Sequence, residues 1–174
     1  MNIHEFQAKN LLSSYGLSVP PGKVAITPQE TADIARELGS GMIAVKAQVH
    51  AGGRARAGGV AIVDSPAKAK SAAEQMLGNK LVTEQTGPVG RVTKRVYVER
   101  GIRGIRDLMI ALLVDEKSGE LTLIASSQGG QGAFQSDTSR ICRLGEKLPK
   151  SKSVHSSVNE ATGHSTSNCY ASLA

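Results

Sequence analysis

The chain has 174 residues, no tryptophan, only two phenylalanines and three tyrosines, and a formal net charge of +6. This length suits one ordinary domain, or one and a fraction, with a core built mainly from Ala, Val, Ile and Leu. The charge favours acidic partners without choosing among them. Because the chain contains no apolar run near the ~20 residues that span a bilayer, no secretory signal and only two cysteines, we expect a cytoplasmic protein without membrane contact.

Three helices are predicted from capping boxes, from proline at the first helical position and from closing glycines. The first begins at Asn2, whose spacing to Glu5 fits a capping box. The predicted helices span residues 2–15, 27–39 and 65–78.

Strands are predicted between these helices, followed by an antiparallel hairpin. The strands span residues 23–26, 42–47, 59–63 and 95–99, and the hairpin spans 107–114 and 120–126. After Gly130, polar residues accumulate and large apolar residues thin out, so we expect residues 131–174 to be poorly folded. The pattern indicates a mixed α/β or α+β fold.

The most informative stretch is a glycine-rich loop that follows Lys46. It contains four glycines and two arginines, Arg54 and Arg56. Glycine lets backbone N–H groups approach an anion, and the cationic side chains supply compensating charge. The sequence lacks both G-x-x-x-x-G-K-[ST] and a G-x-G-x-x-G that opens a helix. The loop therefore predicts polyphosphate binding on another scaffold, with a solvated surface loop as the alternative.

Long collinear motifs then identify a family. Residues 1–9, 45–54, 57–60, 81–88 and 96–99 resemble the N-terminal part of the β subunit of bacterial ADP-forming succinate–CoA ligase. The β subunit of malate–CoA ligase is closely similar. The resemblance runs from Met1 to about Gly130 and implies an ATP-grasp fold. It implies a first lobe over 1–106, the start of a second lobe over 107–130, and a non-matching tail over 131–174 from a truncated or frame-shifted gene.

The resemblance also implies which residues hold ATP or ADP. Lys46 would contact the phosphate and base region, and Gly53, Arg54 and Ala55 would form the turn that covers the phosphates. The family carries glycine where this chain has Ala55. A left-handed backbone there would cost about 1 kcal/mol or more.

At the other end of the nucleotide, Glu99 and the backbone of Ile102 would receive the adenine edge. Asp107 replaces a glutamate of the family that helps to hold the nucleotide. For Glu99 the alternative is a surface carboxylate paired with Arg95 or Arg100.

The family's reaction, part of the tricarboxylic acid cycle, joins succinate to coenzyme A with ATP. It passes through a phosphohistidine on a partner α subunit, so none of His4, His50, His155 and His164 is expected to be catalytic. The Mg²⁺ ligands of the family are not recognisable here, and we predict no ligase turnover from this chain alone. The alternative is a basic RNA-binding module built on Arg100–Arg106, although stacking aromatics are scarce.

Overall fold

A computed structural model describes residues 2–104, 107–114, 119, 121–127 and 129, together with the backbone of residues 139–144. The chain divides into two compact units, Met1–Arg103 and Gly104–Leu173. No helix in the described part of the chain is long and apolar enough to cross a membrane.

The first unit contains three helices and six strands within its described residues. They are α1 (Glu5–Ser14), β1 (Gly22–Ala25), α2 (Pro28–Glu37), β2 (Ile43–Ala47), β3 (Val60–Val63), α3 (Pro66–Met76), β4 (Lys80–Leu81), β5 (Arg91–Val92) and β6 (Val96–Arg100). Four strands form a sheet in the order β1-β6-β2-β3, and every neighbouring pair is antiparallel. The sheet with its helices is therefore of the α+β type.

One face of this sheet carries the core. Side chains alternate across a strand, so Ile43, Val45 and Ala47 of β2 share one face with Val96 and Val98 of β6. All five are buried and belong to one apolar cluster with residues of α2 and α3. The helix residues in the cluster are Ile34, Ala35, Ala69, Ala72, Ala73 and Met76. The polar residues between the core positions of β2 and β6 consequently lie on the opposite face.

The predicted caps of α2 and α3 are confirmed. The Thr27 hydroxyl accepts a hydrogen bond from the N–H of Glu30 at 3.1 Å, and the Ser65 hydroxyl accepts one from Lys68 at 3.4 Å. Gly39 follows α2 with a φ of +82°. The Thr27 and Ser65 hydroxyls thus satisfy backbone N–H donors that a helix leaves without a partner in its first turn.

The predicted start of the first helix is wrong. The helix begins at Glu5, with His4 as its N-cap, and the N–H of His4 donates to the Gln7 side chain at 2.9 Å. Asn2 therefore lies before the helix. The Glu5 carboxylate cannot serve a cap at Asn2, because cationic side chains from other elements hold both of its oxygens.

The second unit contains the predicted hairpin. Its strands are β7 (Met109–Val114) and β8 (Leu121–Ser126), which pair antiparallel. A further strand, β9 (Ser139–Leu144), pairs with the other edge of β8. The sequence analysis did not predict β9, whose backbone pairs with the free edge of β8. The expectation that residues 131–174 are poorly folded stays a prediction. Residues 131–138 and 145–174 lie outside the described residues.

Candidate functional site

Strand register places Lys46 and Glu99 on the face of the sheet away from the core. Lys46 of β2 lies opposite Tyr97 of β6, and Glu99 lies opposite Ala44. Gly22 of β1 is the other neighbour of Glu99. A Cβ at Gly22 would lie 2.7 Å from the Cβ of Glu99 and 2.7 Å from the Tyr97 ring. Glycine at that position therefore leaves room for both side chains.

Five charged side chains meet on this face. Lys46 Nζ lies 2.5 Å from Glu99 Oε1 and 2.9 Å from Glu5 Oε1. Arg54 Nη2 lies 2.5 Å from Glu5 Oε2, and Lys9 pairs with the second oxygen of Glu99. Glu5, Lys9, Lys46, Arg54 and Glu99 are here called the ion-pair network. It joins α1, β2, β6 and the glycine-rich loop.

Burial and pairing shift the pKa values of Glu5, Lys46 and Tyr97 on this face. Burial alone would raise the pKa of Glu5, but the hydrogen bonds and charges of Lys46 and Arg54 outweigh it and lower the pKa to about 2. Burial would lower the pKa of Lys46, but hydrogen bonds to Glu99 and Glu5 raise it overall. Burial, followed by the charges of Glu99 and Glu5, raises the pKa of Tyr97 to about 12. Glu5 and Lys46 are therefore both charged at neutral pH.

The glycine loop, residues 48–59, connects β2 to β3 and contains a compact turn. The N–H of Ala57 donates to Gly53 O at 3.2 Å, and the N–H of Gly59 donates to Arg54 O at 2.7 Å. Positive φ angles occur at Gly53 and Gly58, both +77°, and at no non-glycine residue in the described part of the chain. Ala55 therefore avoids the left-handed conformation, and the backbone strain that this conformation would cause at an alanine does not arise.

The start of this turn carries unpaired backbone donors. Within the described residues, the consecutive N–H groups of residues 53–56 have no acceptor. By contrast, the N–H groups of residues 57–59 are bonded inside the turn. Gly53, Arg54 and Ala55, the residues expected to cover phosphates, thus offer open N–H groups beside a guanidinium. This donor chemistry fits an anion such as a phosphate chain.

Two residues that the sequence analysis did not single out, Leu81 of β4 and Gln85 after it, contact the glycine loop. The Gln85 side chain accepts a hydrogen bond from the N–H of Gly52 at 2.6 Å. A Cβ at Gly59 would lie 2.7 Å from a methyl group of Leu81, so the backbone of the loop packs directly on that side chain. The 81–88 motif contains both Leu81 and Gln85, which was the signal available in the sequence.

Two cavities border the loop. One of about 440 Å³ is lined by Glu5, His50, Arg54 and Gln85, among others. The second, about 470 Å³, is lined on its polar side by His4, His50, Arg91, Lys94 and Arg95. Each is within the size range of small-molecule sites. Among the residues that the structure describes, no group of three or more His, Cys, Asp or Glu side chains has a geometry that could hold a metal ion.

Glu99 and Ile102, which are expected at the adenine end of the nucleotide, differ in burial. Glu99 is buried, with 3% exposure, and pairs with Lys9 and Lys46. The alternative of a surface pair with Arg95 or Arg100 is therefore wrong. Ile102 lies just beyond β6 and is 50% exposed. Its N–H has no acceptor in the described part of the chain.

Asp107 belongs to the second unit, where its side chain is exposed. A Cβ at Gly129 would lie 2.4 Å from the Cβ of Asp107, so glycine permits this close approach. The structure brings Lys46, Arg54 and Glu99 together within the first unit, whereas Asp107 is described only within the second.

The antiparallel sheet, its glycine loop and the cationic site define the class of this protein. Residues 2–133 match the model of the ATP-grasp domain family, and the chain belongs to that family. Its relatives include the β subunit of ADP-forming succinate–CoA ligase from Acidiphilium cryptum, which is 45% identical over 172 residues. That alignment covers 94% of this chain and 41% of the relative.

Other proteins agree with this assignment. The corresponding β subunit of Bacillus subtilis is 48% identical over 150 residues, covering 86% of this chain and 37% of the relative. The chain thus spans about two-fifths of the length of these curated relatives. Among solved structures, the dinucleotide-forming acetyl-coenzyme A synthetase 1 of Ca. Korarchaeum cryptofilum superposes with a TM-score of 0.66 at 21% identity. The superposition covers 92% of this chain and 68% of that protein, and it shows that the two share a fold.

These matches confirm the ATP-grasp fold and the resemblance to succinate–CoA ligase β subunits. The similarity extends further than the expected end near Gly130. The family model reaches residue 133, and the Acidiphilium alignment covers 94% of the chain. Part of the segment expected to be unrelated is therefore aligned with a relative.

Proposed function

We propose that this chain is the nucleotide-binding part of the β subunit of an ADP-forming succinate–CoA ligase. The complete enzyme would convert succinate, coenzyme A and ATP to succinyl-CoA, ADP and phosphate in the tricarboxylic acid cycle. It would act in the cytoplasm with an α subunit that carries the phosphohistidine. In this proposal the chain contributes nucleotide binding, and it turns over no substrate alone.

One observation carries the proposal. Lys46 and Arg54 meet beside a loop with open N–H groups at residues 53–56, within a chain that is 45–48% identical to succinate–CoA ligase β subunits. Cationic side chains and consecutive backbone N–H donors are groups that bind phosphates. Sequence and geometry thus support the same ligand independently.

Each residue has a role in this proposal. Lys46 and Arg54 neutralise phosphate charge, and the N–H groups of Gly53 and Ala55 donate to phosphate oxygens. The N–H of Ile102, which has no acceptor among the described residues, and Glu99 on β6 receive the adenine edge. Asp107 is assigned to the nucleotide by the family resemblance alone. Mg²⁺ would shield the phosphates when bound, and no described cluster of this chain is assigned to hold it.

The other candidates have less support. The relatives named above are succinate–CoA ligase subunits, which favours succinate over malate. The RNA-binding alternative needs free arginines in the segment 100–106. Arg100 instead donates to the Leu38 carbonyl, which occupies one of the N–H groups that a phosphate contact would use.

The proposal is tested by titrating ATP with magnesium chloride into the full chain, followed by isothermal calorimetry. We expect saturable binding by the unmodified chain and at least about tenfold weaker binding by Lys46→Met, because that change removes a desolvated phosphate-binding charge. Lys68→Met is the matched control, since Lys68 is exposed and pairs only with Asp64 among the described residues. Equal affinities for all three proteins, or no binding at all, would contradict the proposal.

A further inference from the structure

The Glu5 carboxylate occupies the cations that the proposed function assigns to phosphate. Its Oε1 lies 2.9 Å from Lys46 Nζ, and its Oε2 lies 2.5 Å from Arg54 Nη2. Both oxygens are therefore used on groups from two separate elements. A carboxylate that bridges a lysine and an arginine in this way resembles a phosphate in charge and in its oxygen acceptors.

The charge of the network favours competition between Glu5 and a bound anion. Glu5 and Glu99 together offset two of the three positive charges of Lys9, Lys46 and Arg54. Side chains of the bridged groups are only about one-fifth exposed, with values of 19% for Glu5, 22% for Lys46 and 20% for Arg54. Charges in such a partly desolvated cluster interact more strongly than they would in water. A phosphate that approached Lys46 and Arg54 would be repelled by the negatively charged Glu5 carboxylate, which already pairs with both cations.

The helix that carries Glu5 is attached mainly by polar contacts. None of the residues of α1 is buried, and Leu11 and Leu12 are 54% and 46% exposed. Besides the pairs of Glu5 and Lys9, the N–H of Phe6 donates to the Gln48 side chain at 3.4 Å. Withdrawal of the first turn of α1 would expose the half-buried Phe6 and Ala8 but no fully buried apolar side chain, so its ion pairs are a large part of its attachment.

We propose that Glu5 is an internal anion that holds Lys46 and Arg54 in the unliganded chain and is displaced by the phosphates of the nucleotide. This inference rests on the proposed nucleotide site and adds a determinant of its affinity. Nucleotide phosphates take over the two cations, and the first turn of α1 loses its principal attachment. Binding at the glycine loop is thereby coupled to release of the N-terminal helix.

The test compares Glu5→Gln with the unmodified chain in the ATP titration described above. Glutamine keeps the size of the side chain and removes its charge, so we expect the Glu5→Gln chain to bind ATP about threefold to tenfold more tightly. Glu74→Gln on α3 is the matched control, because Glu74 is exposed and has no ion-pair partner within the described residues. Unchanged or weaker binding by Glu5→Gln would overturn the inference and would make Glu5 a residue that positions the two cations.

Hydrogen exchange on the unmodified chain provides a second, independent readout. On saturation with ATP, we expect faster exchange of N–H groups in α1 while those of β2 and β6 stay protected. Slower exchange or no change in α1 would contradict displacement even if Glu5→Gln failed to fold. Absence of ATP binding by every variant would refute the proposed function itself, whereas binding that weakens in Glu5→Gln would refute only the role given to Glu5.

Discussion

Two glycines of the loop differ from their neighbours in backbone conformation. Gly53 and Gly58 both have a φ of +77°, whereas Ala55 between them is outside this region. A side chain at positive φ places its Cβ against the backbone and costs about 1 kcal/mol or more. The loop therefore tolerates alanine at 55 and requires glycine at its two turning points.

Gly58→Ala is expected to lower the free energy of unfolding by about 1 kcal/mol. A Cβ at Gly58 would meet no atom within 4 Å, so the loss reports backbone strain alone. Urea denaturation measures it, with Ala55→Ser as the control, since that exposed residue has ordinary backbone angles. An equal loss from both substitutions would show that the strain argument is wrong.

The sequence singled out residues of the glycine loop more readily than it singled out their partners. Glycines and cations clustered within the loop are a local signal, and they identified Lys46 and Arg54. Glu5 escaped detection because its partners lie 41 and 49 positions away, and only the antiparallel register brings them together. The spacing of Glu5 and Lys9, one helical turn apart, was the available hint of a charged helix face.

At the scale of the elements, the attachment of α1 depends on the ion pairs of one carboxylate, that of Glu5. The pKa of Glu5 is lowered from 4.5 to about 2 in the folded chain. Since the folded value lies below the unfolded one, the stabilisation is complete above about pH 4.5 and is lost as the pH falls toward 2. Protonation of this one group would weaken its pairs with Lys46 and Arg54 together.

The difference in unfolding free energy between the unmodified chain and Glu5→Gln is expected to shrink by about 2 kcal/mol between pH 5 and pH 2, after allowance for partial exposure. Other acids titrate in both proteins and cancel in the difference. Urea denaturation at several pH values measures the effect. A difference that stays constant across this range would mean that the carboxylate has an ordinary pKa in the folded chain.

Elements with strong local signals were predicted, and those without them were not. Thr27, Ser65 and Gly39 fixed the ends of α2 and α3, because capping chemistry acts within a few residues. The two-residue strands β4 and β5 are too short to show any period. β9 was missed because its pairing depends on an edge supplied by β8.

At the scale of the whole molecule, the two units differ in how much apolar surface they bury. In the first unit, Val45 and Val98 are completely buried within a cluster that spans the sheet and two helices. In the second unit, the hairpin exposes Leu112 and Val114, with 58% and 63% exposure. Since burial supplies most folding free energy, we expect the described residues of the β7–β8 hairpin to be less stable than the sheet of the first unit.

Hydrogen exchange in increasing urea is expected to show β7 and β8 losing protection at lower urea than β2 and β6. The measurement follows peptides from all four strands in one sample, so each unit is an internal reference for the other. Loss of protection at one common urea concentration would indicate a single cooperative unit instead.

The phenol ring of Tyr97 gives this molecule an intrinsic spectroscopic probe. Its ring lies beneath the Lys9 ammonium, 5.5 Å from the ring centre, and shares a sheet face with the lysine and glutamate described above. The chain has no tryptophan, so its near-ultraviolet signal comes from a few phenol rings. One of these rings is therefore a native chromophore in direct contact with the charges that ligand binding would rearrange, and an unlabelled sample suffices to follow that rearrangement spectroscopically.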